Sequence, residues 1–182
     1  MQSVSNPDAS SVRKITAEGL SRLDQSSFIS VLGDIFEHSP WVAEGAWPFR
    51  PFADADALHK RMVEVVRNAS RRAQHDLICA HPDLAGKAAI AGEITDASKR
   101  EQAGSGLGSL TKDEFVRFQE LNTAYKAKFG FPFIMAVRGN IKTDIMAGFA
   151  ERLKNSPDQE FERALGEIAK IAGFRLHELI PG

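Results

Sequence analysis

The sequence predicts an all-α, single-domain helical bundle, and three observations carry that prediction. Apolar residues recur at spacings of three and four in one segment after another. Those segments open on Ser, Thr or Asp and close at Gly or Pro, as helices do. Nothing alternates with period two over a useful length. Helices with one apolar face each must bury those faces against one another, which makes a bundle. At 182 residues, 43% hydrophobic and 26% charged, the chain suffices for one ordinary core.

Residues 1–14 are small and polar and read as a mobile tail; the domain is predicted over 15–182. Phe28, Val31, Leu32, Ile35 and Phe36 share a helical face, capped by Asp24 or Ser26 and closed by Pro40. The Trp-rich stretch "SPWVAEGAWPFRPF" reads as a connection. Leu58, Met62, Val65 and Ala69 mark a second helix, with Asp54 or Asp56 near its start. Ser70 caps a third, which carries Ala73 and Leu77 and ends before Pro82. A short helix is predicted over "DASKREQAG", stopped by Gly104.

The clearest helix opens at "TKDE". Thr111 and Glu114 have capping-box spacing. Phe115, Phe118, Leu121, Asn122, Tyr125 and Phe129 then share a face, and Gly130 ends it. Ile145, Met146, Phe149 and Leu153 mark another. "SPDQ" opens the last helix, with Ser156 as cap, Pro157 at the first helical position and Gln159 completing the box. Phe161, Leu165, Ile168 and Ala172 form its inner face. Only "FPFIMAV", 131–137, is a candidate strand, and its continuous apolarity leaves a buried strand or helix the favoured reading over irregular chain.

Composition excludes several function classes. A formal net charge of -1 offers no footprint for nucleic acid or anionic membrane. No apolar run approaches the roughly 20 residues of a membrane span. "MQSVSNPDAS" lacks a signal-peptide core. The single cysteine, Cys79, precludes an internal disulfide and fits a reducing compartment, so a cytoplasmic protein is expected. His38, His59, His75, His81 and His177 show no metal-ligand spacing, and no phosphate-loop, dinucleotide or nucleophile-elbow motif occurs.

Three segments carry candidate chemistry. In "AHPDLAGKAA", Pro82 pushes His81 out of the α region, so the imidazole stands past a helix C-terminus, where the dipole favours its charged form. A general acid near neutral pH fits that place, and so does an ordinary loop histidine. In "SKREQ", Ser98, Glu101 and Gln102 stand at i, i+3 and i+4 and share a face. They bring together a hydroxyl, a carboxylate and an amide; a solvated helix face has the same pattern. In "KFGFPFIMAVRG", chain crossing the core irregularly would have backbone groups to offer a polar ligand. Arg138 and Arg175 lie in apolar contexts, suited either to anion recognition or to structural ion pairs.

Taken together, "HSPWVAEGAW", "AHPDLAGKAA", "SKREQAGSGL" and "LNTAYKAKFGFPFIMAVRG" resemble the 2-oxo-4-hydroxy-4-carboxy-5-ureidoimidazoline (OHCU) decarboxylase family of urate breakdown, from about Asp24 to about Leu179. The resemblance implies an all-helical, cofactor-free and metal-free homodimer that converts OHCU to (S)-allantoin and carbon dioxide. It implies His81 and Glu101 as catalytic residues. It implies substrate contacts from Pro82, from Ser98, Lys99, Arg100 and Gln102, and from Phe133, Ile134, Met135, Ala136 and Val137, with the family's C-terminal arginine at Arg175. The ending "LIPG" lacks the peroxisomal tripeptide of many animal members, which favours a cytosolic, bacterial version. Two mechanisms stay open: His81 as proton donor to the decarboxylated carbon, or neutral His81 removing the substrate hydroxyl proton, with Glu101 holding the imidazole or pressing on the substrate carboxylate. The rival readings are another ureido-acid enzyme on the same scaffold and a non-catalytic helical module.

Overall fold

Thr16 begins the ordered architecture by capping a one-turn helix, α1 (Ala17–Ser21), in a computed structural model that describes residues 14–86 and 93–181. The predicted tail lies outside the described residues apart from Lys14, as does Lys87. Among the described residues there are nine α-helices and no strand. The helices after α1 are α2 (Gln25–Leu32), α3 (Pro40–Ala46), α4 (Ala55–Asn68) and α5 (Arg71–Cys79). They continue with α6 (Asp96–Gly104), α7 (Lys112–Phe129), α8 (Lys142–Arg152) and α9 (Pro157–Leu179).

Side-chain caps set most of the starts. Asp24, Asp54, Ser70, Thr95, Thr111 and Ser156 each accept a backbone N–H from the first turn of the helix that follows. The predicted capping boxes close at Thr111/Glu114 and Ser156/Gln159. Gly130 ends α7 at φ 79°, a left-handed conformation that suits glycine.

Some local expectations need correction. Pro40 does not merely close the preceding helix, which stops earlier, at Leu32. It opens α3 at a first-turn position where a missing N–H costs nothing, and the Trp-rich stretch becomes that helix plus a 3₁₀ turn, Trp47–Phe49. Val31, placed on the apolar face by spacing, is 40% exposed. Helix α6 does span "DASKREQAG" and end at Gly104, but the left-handed residue that follows it is Gly106, φ 80°.

The 23-residue α9 is the central helix. It packs on α4, α5 and α7. Ala164, Leu165, Ile168, Ala172 and Leu176 of its inner face are buried. His59 of α4 reaches the Ala169 carbonyl at 2.7 Å. Helix α3 lies close on α4 because Gly45 has no Cβ: one built there would stand 2.7 Å from Val65 Cγ1.

Segment 131–137 is neither strand nor helix. It crosses the core as irregular extended chain. Aromatic packing fixes it there: Phe133 stacks on Phe149 at 3.8 Å between centroids and meets Tyr125 edge-on at 5.2 Å. It thus forms one wall of a cleft whose opposite wall is the C-terminus of α5 and one face of α6.

Candidate active site

His81 stands just past α5 and is buried. Its imidazole folds back on its own helix instead of projecting away: Nδ1 lies 3.0 Å from the Leu77 carbonyl. A carbonyl only accepts, so Nδ1 carries the proton and Nε2 of the neutral ring is bare. The helix dipole argues for imidazolium at this place, but burial outweighs it. Burial pushes the pKa from 6.5 to about 4, with the Arg175 and His38 charges acting the same way and the Leu77 carbonyl and Glu37 opposing.

The loop after His81 is pinned from α7. Asn122 Nδ2 donates to the Leu84 carbonyl at 2.9 Å, Gln119 Nε2 to the Ala85 carbonyl at 2.9 Å, and Lys126 pairs with Asp83 at 2.6 Å. Ala85 sits at φ 52°, a left-handed position uncommon outside glycine. Its N–H donates to Gln102 Oε1 at 2.9 Å. That bond fixes the amide flip and leaves Gln102 Nε2 as a donor.

Helix α6 delivers the predicted face. Ser98 and Gln102 are buried, and Glu101 is half-buried beside them. A cleft of about 30 Å³ is lined by His81, Pro82, Ser98, Glu101, Gln102, Phe133, Ile134, Met135, Val137 and Arg175, with Leu84 and Ile171. Lys99, Arg100 and Ala136 are not brought to it. Lys99 and Arg100 are exposed on the other side of α6, where Lys99 pairs with Asp96 at 3.3 Å. Ala136 is buried and turns its N–H to Glu167.

Behind the cleft lies a buried ionic hub. Arg175 Nε and Nη2 donate to the two oxygens of Glu101 at 2.8 and 2.9 Å. Its Nη1 donates to Glu37 at 2.8 Å and to the Asp34 and Ile35 carbonyls, and Nη2 also reaches Ser98 Oγ at 3.3 Å. Arg175 therefore faces the cleft with its donors directed to protein acceptors. Glu101 pairs with Arg175, not with the imidazole.

Glu37 was not among the expected residues. It is 1% exposed and accepts from Thr95 at 2.7 Å, from Ser98 at 3.1 Å and from Arg175. Burial works to raise its pKa, but the Arg175 charge and the Thr95 hydroxyl hold it below the ordinary carboxylate value. Its one sequence signal is an acid ending an apolar run, directly before "HSPWVAEGAW". Among the described residues no cluster of three His, Cys, Asp or Glu side chains is placed to hold a metal ion.

With this geometry in view, the family model described as OHCU decarboxylase matches residues 21–177. A "Uric acid degradation bifunctional protein" of Bacillus sp. (strain TB-90) is 49% identical over 160 residues, 88% of this chain and 31% of that protein. A "2-oxo-4-hydroxy-4-carboxy-5-ureidoimidazoline decarboxylase" of Haloferax volcanii is 43% identical over 92% of this chain and 97% of its own length. The crystal structure of an (S)-allantoin synthase superposes with a TM-score of 0.75 at 34% identity, covering 91% of this chain and 54% of that one. The chain thus spans under a third of the Bacillus protein and about half of the synthase, but nearly the whole archaeal relative.

Proposed function

This chain belongs to the OHCU decarboxylase family, and from that premise we propose how its cleft works. The protein removes carbon dioxide from OHCU and gives (S)-allantoin, a step of urate breakdown. The observation that carries the reading is the tautomer of His81, a buried, neutral ring that lines the cleft with its proton on Nδ1 and a bare Nε2.

The chemistry follows from the substrate. Breaking the bond from C4 to the carboxylate leaves an electron pair, which forms C4=C5 as the nitrogen of the adjacent C=N group of OHCU takes up the displaced pair and, with it, one proton from solvent. The C4 hydroxyl then becomes a carbonyl by giving up its proton, and the electron pair of C4=C5 takes a proton at C5. Neutral His81 accepts the hydroxyl proton at Nε2 and, now imidazolium, delivers a proton to C5. Delivery from one wall of the cleft makes a single enantiomer. Glu101, held in place by both of its bonds to Arg175, presents negative charge to the departing carboxylate. Gln102 Nε2 and the backbone of 133–137 bind the ring and ureido heteroatoms.

The same reading includes a homodimer, which rests on the family resemblance, and a cytoplasmic location, which rests chiefly on the single cysteine. Among the described residues no helix is long and apolar enough to cross a membrane. Sedimentation equilibrium at twice the chain's 20.0 kDa tests the dimer.

The test of function is circular dichroism during urate oxidation by uricase and 5-hydroxyisourate hydrolase. Adding the protein should bring up the (S)-allantoin signal ahead of spontaneous decay. His81→Asn should lose about 10²–10⁴-fold in rate, the worth of positioned acid–base catalysis. A loss under about tenfold removes His81 from the chemistry, and a wild-type rate no faster than spontaneous decay removes the reaction.

A further inference from the structure

Segment 131–137 has no strand partner among the described residues, yet three of its peptide groups are anchored by side chains. Arg152 Nη1 donates to the Ile134 carbonyl at 2.5 Å. The Glu167 carboxylate accepts the Ala136 N–H at 2.9 Å. Asn140 Nδ2 donates to the Ala136 carbonyl at 3.0 Å. Two of these anchors are built into the core. Arg152 is clamped by Glu160, which is fully buried and also accepts from Tyr125 and Asn155. Glu167 is buried, with Lys170 at 2.8 Å and Arg163 at 3.2 Å on its outer side.

In a trans peptide the C=O and N–H point in opposite directions. Each anchored end therefore turns the other end of its own peptide away from the anchor. The ends turned away are, in order, Met135 N–H, Met135 C=O and Val137 N–H. None of the three has a hydrogen-bond partner among the described residues. Met135 and Val137 line the cleft with His81, and Ala136 between them does not. Read along the chain, the three ends run donor, acceptor, donor.

We propose that Arg152, Glu167 and Asn140 are positioning residues that set this row, and that the row reads the ring edge of the substrate. The proposal rests on the OHCU reading above. From C2 to C4 the OHCU ring presents an oxo oxygen, a ring N–H and an oxygen on C4. That edge is acceptor, donor, acceptor, the complement of the row. (S)-Allantoin keeps the same edge, so substrate and product dock alike, and a substrate without it leaves two donors and an acceptor unpaired in a buried wall. The row thus fixes which substituent of C4 faces His81 through backbone groups of this wall alone.

Glu167→Gln keeps an acceptor oxygen for the Ala136 N–H; Glu167→Ala removes it. Asn140→Ala loosens the neighbouring peptide from a partly exposed position and serves if Glu167→Ala does not fold. KM for OHCU is expected to rise about tenfold in Glu167→Ala and several-fold in Asn140→Ala, roughly the worth of one hydrogen bond each. Glu167→Gln should restore it, and kcat should change less than KM in all three. A fold weakened without misplaced peptides lowers the amount of active enzyme but leaves KM alone. With ¹⁵N-labelled Met and Val, the Met135 and Val137 amide resonances should move when (S)-allantoin is added to wild type and Glu167→Gln, and not to Glu167→Ala. An unchanged KM in the folded Ala variants, or equal KM changes in Glu167→Gln and Glu167→Ala, overturns the proposal while wild-type turnover leaves the reaction standing. Absence of wild-type turnover overturns the reaction instead, and the amide shifts then decide the row on their own.

Discussion

Replacing His81 with Asn isolates the buried imidazole. The Asn amide can take over the bond from Nδ1–H to the Leu77 carbonyl, but it has no proton to gain in acid. In the wild-type protein, burial pushes the His81 pKa from 6.5 to about 4. The unfolded chain therefore takes up a proton near pH 6.5 and the folded chain only near pH 4. Between those values the unfolded state binds more protons, so stability falls as pH falls. The contribution is present above pH 6.5, is lost progressively on acidification, and is gone below about pH 4. A difference of 2.5 pKa units at 1.36 kcal/mol each is worth about 3 kcal/mol over the whole range.

The assay is urea denaturation of both proteins at pH 7 and pH 4.5. Acid losses from the shared carboxylates, Glu37 among them, occur in both and largely cancel in the difference. The stability of wild type relative to His81→Asn should drop by about 2 kcal/mol between the two conditions. The rate has a matching signature: kcat/KM should decline in acid with an inflection near pH 4 instead of near 6.5, because the free enzyme must present neutral His81. A stability difference that does not change with pH, or a kcat/KM that rises as imidazolium forms, refutes a buried neutral base and restores His81 as a pre-charged acid.

Two further substitutions test the walls of the cleft. Gln102→Glu keeps the acceptor for the Ala85 N–H but replaces the free amide donor with negative charge beside an anionic substrate. KM should rise more than about tenfold, read by steady-state dichroism, with little change in the melting temperature. Glu37→Gln leaves Arg175 balanced by Glu101 but weakens the charged acceptor shared by Thr95, Ser98 and Arg175 at a site 1% exposed. It should destabilise the fold by about 1.5–3 kcal/mol in urea denaturation, the worth of a buried hydrogen bond to a charged group.

What the sequence disclosed divides along the range of the interactions concerned. Helix α7 is legible from Thr111 to Gly130 because its cap, box, apolar face and left-handed stop are all local. The face of α6 is legible for the same reason: i, i+3 and i+4 bring Ser98, Glu101 and Gln102 together wherever the helix goes. Helix α1 is not, since its five residues are too few to show a period. Pro40 is ambiguous by nature, because a residue that ends one helix is also a good first residue of the next. Lys99 and Arg100 travelled with the motif, although helical geometry turns them away from its working face. Glu37 was invisible because its meaning depends on Arg175, 138 residues further along the chain. The charge state of His81 is not legible from the local dipole, because burial, a tertiary property, is the larger effect.

That same long-range hub bears on why the site is charged at all. One guanidinium and two carboxylates are held at the back of the cleft beside a neutral imidazole. Well-packed apolar residues would serve stability as well or better, because burying ions carries a large desolvation cost. The excess is one negative charge, which on the proposed reaction would stand against a substrate that is itself an anion. Such an arrangement binds the ground state poorly. As carbon dioxide leaves, the substrate's charge moves off the carboxylate and spreads into the ring, so repulsion from Glu101 is relieved in the transition state. An interaction that improves only along the reaction coordinate accelerates the chemical step, whereas a cation aimed at the carboxylate would hold the ground state back. On the proposed reaction, the engagement of the Arg175 donors by the protein would keep that guanidinium off the leaving carboxylate while holding Glu101 in place.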